Sequence, residues 1–256
     1  MFPLVNIRGS CWVNAALQGF FRCPYVQSHY NNNEVDKTNP VDVCLATLWK
    51  SKGTDGLRDL FECIRVTDAE AMPAGRGTGD SHELFQFLCD KLPWFDKVCR
   101  FTVADQLICN HCGDKSLRTD SVTEVTVSPT KHASVHEAIQ EVCLPIQVPD
   151  RVCEKCSKQG CSKQHLFGTF PRVLIFHRSA LHQSVDYSSV LVLNKQKYVL
   201  FAVICYNGGH WWTYGRDLPV GNPWYKLDDD FVQEISSKQF PVAGTMRMLL
   251  YFLVEQ

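Results

Sequence analysis

Apolar side chains at Trp12, Val13, Ala16, Leu17, Phe20 and Phe21 recur at the three- and four-residue spacing of one helical face. Ser10, just ahead of them, is a residue type favoured at N-caps. The pattern predicts a helix over 11–21 with Cys11 in its first turn. A second face, Leu84, Phe85, Leu88 and Leu92, predicts a helix over 80–92, opened by Asp80 and Glu83 at capping-box spacing. Between the two, 31–33, 38–40 and the glycines Gly75, Gly77 and Gly79 read as loop. Past residue 100 the period changes. Segments 101–109, 121–128, 166–177, 190–193, 198–206 and 245–254 are rich in Val, Ile, Thr and aromatics and predict strands, with one helical segment at 134–142. Helices first and strands later predict an α+β domain rather than alternating β-α-β units. No repeat or Pro/Ser-rich linker divides the chain, so 1–256 is expected to form a single domain.

Composition narrows the function classes. A chain of 256 residues with 45% apolar and 21% charged residues is an ordinary globular protein able to bury a substantial core. Its net charge of −1, with no basic cluster, argues against nucleic acid as the main partner. The apolar residues near the start are interrupted by Asn6, Arg8, Asn14 and Gln18, and no later run is long enough to span a bilayer, so neither a signal peptide nor a membrane segment is expected. Thirteen cysteines, an odd number, then point to a reducing compartment, cytoplasmic or nuclear, where thiols serve as core residues, metal ligands or nucleophiles.

Three groupings carry chemistry. Cys11 at a helix N-terminus lies in the field that favours a thiolate. Of nine histidines, His210 follows Gly208 and Gly209 between two strand-like runs, a setting in which a substrate backbone can approach a base closely. The consecutive acids from Asp228 to Asp230 read, on their own, as a solvated turn. Finally, Cys109-x2-Cys112 and Cys153-x2-Cys156 are paired knuckles able to close a tetrahedral four-cysteine zinc site. Such a site has no open coordination position, so the zinc is expected to be structural. His111 and Cys161 are substitutes whose spacing fits less well.

The run from Asn6 to Gln18 resembles the cysteine box of the ubiquitin-specific proteases. Residues 198–203 followed by Gly209-His210-Trp211 resemble that family's histidine box, and Trp224-Tyr225-Lys226-Leu227-Asp228-Asp229 resembles the segment carrying its third catalytic member. Residues 79–85 are similar to a thumb signature, and the knuckles precede a family-like Pro171-Arg172-Val173-Leu174. The resemblance covers nearly the whole chain. It implies a papain-like cysteine protease fold with a helical thumb (about 1–100), zinc-binding fingers (about 101–165) and a palm (about 166–256). Within it Cys11 is the nucleophile, His210 the base, Asp228 its orienting acid with Asp229 as the alternate, and Asn6 the oxyanion donor. Asp80 and Glu83 face the arginines of a ubiquitin tail, or simply cap their helix, while Gly208 and Gly209 flank the terminal glycines. The implied partner is ubiquitin or its conjugates, the implied cofactor one zinc, and the implied state a monomer. The chain departs from the family at Arg8, where Gly is usual, at Gly79, which replaces Gln, and at 177–180, where an L-K-R-F run is usual; the stretch from there to Tyr198 is short. A protease for another ubiquitin-like modifier and a catalytically weak ubiquitin-binding scaffold remain as alternative readings.

Overall fold

Strands buried on both faces read as unbroken apolar runs, and 173–176, 198–205 and 248–251 are such runs. In the computed structural model, which describes residues 1–67, 79–127, 133–179, 185–219, 221–236 and 243–254, they form the centre of a large sheet. Six helices come first: α1 Cys11–Phe20, α2 Pro24–Asn31, α3 Pro40–Lys50, α4 Leu57–Thr67, α5 Ser81–Lys91 and α6 Pro93–Cys99. The strands that follow are β1 Phe101–Cys109, β2 Lys115–Val122, β3 Glu124–Val127, β4 Ala133–Ser134, β5 Ile146–Val152, β6 Gln159–Phe167 and β7 Val173–Arg178. Next come β8 Val185–Asp186, β9 Val190–Leu193, β10 Gln196–Tyr206, β11 Trp211–Gly215, β12 Trp224–Asp228, β13 Phe231–Ile235 and β14 Met246–Val254, and helix α7 Val135–Val142 lies between β4 and β5. The large sheet has the order β13-β12-β11-β10-β14-β7-β3, with β9 also on β10. Its pairings are antiparallel except β3 with β7. A separate four-stranded sheet, β2-β1-β6-β5, carries the cysteine knuckles at its turns.

Alternation along the central strands divides the interior in two. Ile175, Met248 and Leu250 face a core shared with α1 to α6, while Leu174, Phe176, Leu249 and Tyr251 face one closed by α7. Helix α1 is buried along its whole length because it runs between the sheet and the other helices. Gly19 permits that close approach: a Cβ there would lie 3.0 Å from Leu250 Cδ1 and 3.2 Å from Ile204 Cδ1. The Thr213 hydroxyl donates to the Ala15 carbonyl at 2.6 Å, tying the nucleophile's helix to β11. That strand begins one residue after His210.

The fold class is as expected, and several elements are additions. Helices α2, α3, α4 and α6 occupy stretches with no predicted element. Residues 38–40 are the start of α3, where the Asn39 side chain accepts from the N–H groups of Val41 and Asp42 and Pro40 holds the first turn. Residues 31–33 are the end of α2, with Asn33 at φ +58°. Gly75 and Gly77 lie outside the described residues. The 121–128 segment divides into the end of β2 and the whole of β3, and 166–177 into the end of β6 and β7. Strand β5 carries Pro149 and shows a register shift against β6 between Val148 and Val152, as an edge strand tolerates. Strand β3 and helix α7 fall within 101–165 yet pack on the large sheet, so that segment contributes to both sheets.

Candidate active site

Helix α1 presents Cys11 at its first position, and its N-terminus is uncapped by side chains. Ser10 sits at the N-cap, but its hydroxyl accepts from the Ile7 N–H at 2.7 Å, so it does not occupy the helix's own N–H groups. Those of Cys11 and Trp12, together with the Trp211 N–H arriving from β11, act on the Cys11 sulfur and favour a thiolate. Burial opposes them and wins, helped by the nearby Asp229 carboxylate, so the thiol titrates above its ordinary range. A helix terminus alone would have placed it below. Burial thus favours the neutral thiol at this helix terminus.

His210 is delivered by a tight turn. The Asn207 side chain accepts from the N–H groups of Gly209 (3.1 Å) and His210 (2.9 Å), and Tyr206 pairs with Trp211 across the hairpin. Gly208 sits at φ +99°, a conformation that requires glycine, whereas no such φ constrains Gly209; a Cβ on either would meet nothing within 4 Å. The imidazole Nε2 lies 2.6 Å from Asp228 Oδ1. A carboxylate only accepts, so Nε2 carries the proton and Nδ1 is the free basic nitrogen. The second oxygen of Asp228 receives Lys226 Nζ, also at 2.6 Å. Burial pushes the Asp228 carboxyl up, but His210 and Lys226 outweigh it and hold the group below the usual carboxylate range.

Asp229 turns the other way, at φ +54°. One oxygen accepts from the Asn6 amide and the other from the Asn14 amide, each at 2.8 Å, and its carbonyl accepts from the Leu4 N–H. Asn6 in turn accepts from the N–H groups of Gly9 (2.9 Å) and Ser10 (3.1 Å), so its side chain is fixed at both ends beside the start of α1. Arg8 adopts φ +53° and Gly9 φ +88° within that loop. Arg8 thus takes the left-handed backbone for which glycine is the easy residue, at a cost of about 1–2 kcal/mol. Asn14 is a site residue whose motif position was visible but whose role was not.

Asp80 caps α5, accepting from the His82 N–H at 2.9 Å, and its other oxygen lies 3.6 Å from Arg247 Nη2. Glu83 is exposed on the first turn of α5. Gly79 has a local cause: a Cβ there would come within 2.6 Å of the Trp12 indole, so the large ring beside Cys11 excludes a larger neighbour. His82 lies away from Cys11's partners, on Glu124 of β3, with contacts of 2.6 and 2.8 Å, and stacks on His177 of β7 with centroids 3.6 Å apart and planes 7° apart. Imidazole lone pairs lie in the ring plane, so two face-to-face rings cannot both direct a nitrogen at one ion. Sequence spacing gave no sign of this cluster.

The knuckles converge. Sulfurs of Cys109, Cys112, Cys153 and Cys156 lie within 4.8 Å of one another, with Cys109–Cys156 and Cys112–Cys153 separations of 3.7 Å. A tetrahedron with metal–sulfur bonds of about 2.3 Å has edges of about 3.8 Å, so the spacing fits zinc. The N–H groups of His111 and Cys112 point at the Cys109 sulfur, and chiefly through them its pKa falls to about 6. The two substitutes are occupied otherwise: His111 Nε2 bonds the Gln159 carbonyl at 2.7 Å, and the Cys161 thiol donates to the Arg151 carbonyl. All thirteen cysteines are free. Among the described residues no helix is long and apolar enough to cross a membrane.

A family model described as ubiquitin carboxyl-terminal hydrolase matches residues 2–251. Ubiquitin carboxyl-terminal hydrolase 25 of Arabidopsis thaliana is 21% identical, over 92% of this chain and 46% of its own length. Ubiquitin carboxyl-terminal hydrolase 17-like protein 6 of Homo sapiens is 22% identical, over 99% of this chain and 74% of its own. The chain therefore spans between about half and three quarters of these two relatives. Among solved structures, a chain of the SAGA DUB module containing Ubp8, bound to monoubiquitin, superposes with a TM-score of 0.85 at 17% identity, covering all of this chain and 69% of that one. A second structure of that module, bound to ubiquitin aldehyde, gives 0.81, also at 17% identity.

Proposed function

Because the chain belongs to the ubiquitin carboxyl-terminal hydrolase family, we propose that it is a thiol-dependent deubiquitinase hydrolysing the peptide or isopeptide bond after the C-terminal glycine of ubiquitin. The observation that carries the reading is the pairing of His210 Nε2 with Asp228 at 2.6 Å in a turn whose next N–H, from Trp211, points at the Cys11 sulfur. Ubiquitin is bound in the similar SAGA module structures, which supports the choice of substrate.

Cys11 and His210 act as one unit. The free Nδ1 of His210 takes the thiol proton as sulfur attacks the terminal glycine carbonyl carbon. A sulfur–carbon bond forms and the carbonyl π pair moves to oxygen. The Asn6 amide and the N–H groups at the start of α1 supply donors for that oxyanion, and Asp229 keeps Asn6 aimed. Collapse breaks the carbon–nitrogen bond, with the imidazolium protonating the departing amine. Water, deprotonated by the same Nδ1, then attacks the thioester and releases the ubiquitin carboxylate and the thiol. Gly208 and Gly209 leave room for the paired glycines of the tail, and Glu83, with Asp80 beside it, is the acidic partner for the tail's arginines. Cys109, Cys112, Cys153 and Cys156 would hold one zinc as thiolates, which would tie the turn after β1 to the turn after β5 as a structural ion with no open coordination position.

Hydrolysis of a ubiquitin C-terminal fluorogenic amide tests the reading. Cys11→Ala is expected to abolish turnover while leaving ubiquitin binding in place; turnover retained in Cys11→Ala removes the proposal.

A further inference from the structure

We infer that Lys226 is a positioning residue of this site: its ammonium holds the second oxygen of Asp228 and so sets both the direction and the strength with which that carboxylate acts on His210. The inference rests on the proposed role of His210 as the base for Cys11. Residues 226 and 228 are two apart on β12, so their side chains leave the same face of the strand. There Lys226 Nζ and His210 Nε2 take the two oxygens of one carboxylate, each at 2.6 Å. The Trp212 ring on the neighbouring β11 bears both, with Lys226 Nζ 5.8 Å and the His210 ring 6.2 Å from its centroid, the imidazole inclined by only 17°. Side-chain exposures of 31% for Lys226 and 21% for Asp228 set this apart from a free surface pair, whose long side chain would wander.

Two consequences follow from elementary chemistry. A carboxylate bonded through one oxygen can swing about its Cβ–Cγ bond and carry the imidazole with it; bonded through both, it cannot. A cation on the far oxygen also cancels part of the negative field at His210, so the imidazolium is stabilised less than a bare aspartate would stabilise it. That suits a base which must take a proton from a thiol and then return it to a leaving amine. The charged and titratable groups around His210 are Asp228 and Lys226 from β12 and Asp229 from the turn beyond it. Asp229 is engaged by Asn6 and Asn14, which leaves Lys226 as the group that tempers Asp228.

The test is an NMR titration of the His210 imidazole in Cys11→Ala protein, where no thiol titrates beside it. Lys226→Met is expected to raise the midpoint by about one pH unit, since removing a nearby cation favours the imidazolium, while Lys226→Arg restores the parent value. In protein retaining Cys11, Lys226→Met should lower kcat about ten- to a hundredfold with KM nearly unchanged, again with rescue by Arg. An unchanged midpoint in a folded Lys226→Met protein overturns the inference, as does a loss confined to KM. If Lys226→Met does not fold, Lys226→Gln is read in the same way. The titration uses protein that cleaves nothing, so its failure dismisses Lys226 alone; failure of the deubiquitinase reading shows separately, as turnover without Cys11.

Discussion

Two adjacent carboxylates, Asp228 and Asp229, serve different partners because the left-handed backbone at 229 turns the second away from the strand. One steadies the imidazole and the other steadies Asn6. Asn6→Ala is expected to lower kcat about 10²–10³-fold through loss of an oxyanion donor. Asp229→Ala should lose part of the same effect by freeing the Asn6 amide, and the double variant should be no worse than Asn6→Ala alone; fully multiplicative losses in a kinetic double-mutant cycle would separate the two residues. Gly209→Ala is a second probe at this scale. A methyl there meets no protein atom, so thermal stability should hold while kcat/KM falls if the ubiquitin tail passes over it; equal activity would reduce Gly209 to a turn residue. The clustering of the knuckle cysteines was legible because a metal site needs particular residue types at a particular spacing, and Cys11 and His210 stood out as candidates through their surrounding motifs. The division of labour between 228 and 229 was not, since it depends on one φ angle. Nor was the raised thiol pKa, which comes from burial by elements distant in sequence.

Helix α5 reaches the large sheet through polar contacts as well as apolar ones, and these give it a pH response. Burial pushes His177 down to about 4, whereas unfolded histidine titrates near 6.5, so the unfolded chain takes up the proton first as pH falls. The stability this neutral ring contributes is complete above about pH 6.5 and is lost progressively toward pH 4. Although burial raises the Glu124 carboxyl, its bonds to His82 hold it below the usual range, and its contribution is likewise lost on acidification. Urea midpoints measured between pH 7 and 4 should therefore fall, and fall less steeply in His177→Gln; parallel curves would contradict this. The knuckles offer a second test at this scale. Freshly purified protein should carry one zinc per chain by elemental analysis, and Cys156→Ser should lose metal and stability together. Retention of full stability without metal would leave the four thiols without a structural role. Helices α1, α5 and α7 were legible from their apolar faces. Helix α3 was hidden because Asn39 and Pro40, which read as loop, cap and open it. Strand β2 is almost wholly exposed, so its sequence carries no alternation to recognise.

Across the whole molecule, the two cores place α1 and the β10–β11 hairpin against each other, and Thr213 and Gly19 let helix and sheet pack closely, with Cys11 at the start of the helix and His210 one residue ahead of β11. That packing of the first helix on a strand late in the chain follows from sheet order, which the motif spacing alone does not encode. The acids on α5 separate at this scale too: Glu83→Gln should raise KM for a ubiquitin substrate without loss of stability, whereas Asp80→Ala should also weaken the α5 cap, by about 1 kcal/mol. A melting temperature unchanged in Asp80→Ala would show that the cap matters less than its geometry implies. The central claim is that one thiol of thirteen, Cys11, is the nucleophile toward the ubiquitin C-terminus. Reaction of the zinc-loaded protein with a ubiquitin bearing a C-terminal electrophile, followed by mass-spectrometric mapping of the adduct, measures it directly. The account predicts a single ubiquitin adduct on Cys11, lost in Cys11→Ala and strongly slowed in His210→Ala; no adduct on folded protein, or an adduct on a different cysteine, would contradict it.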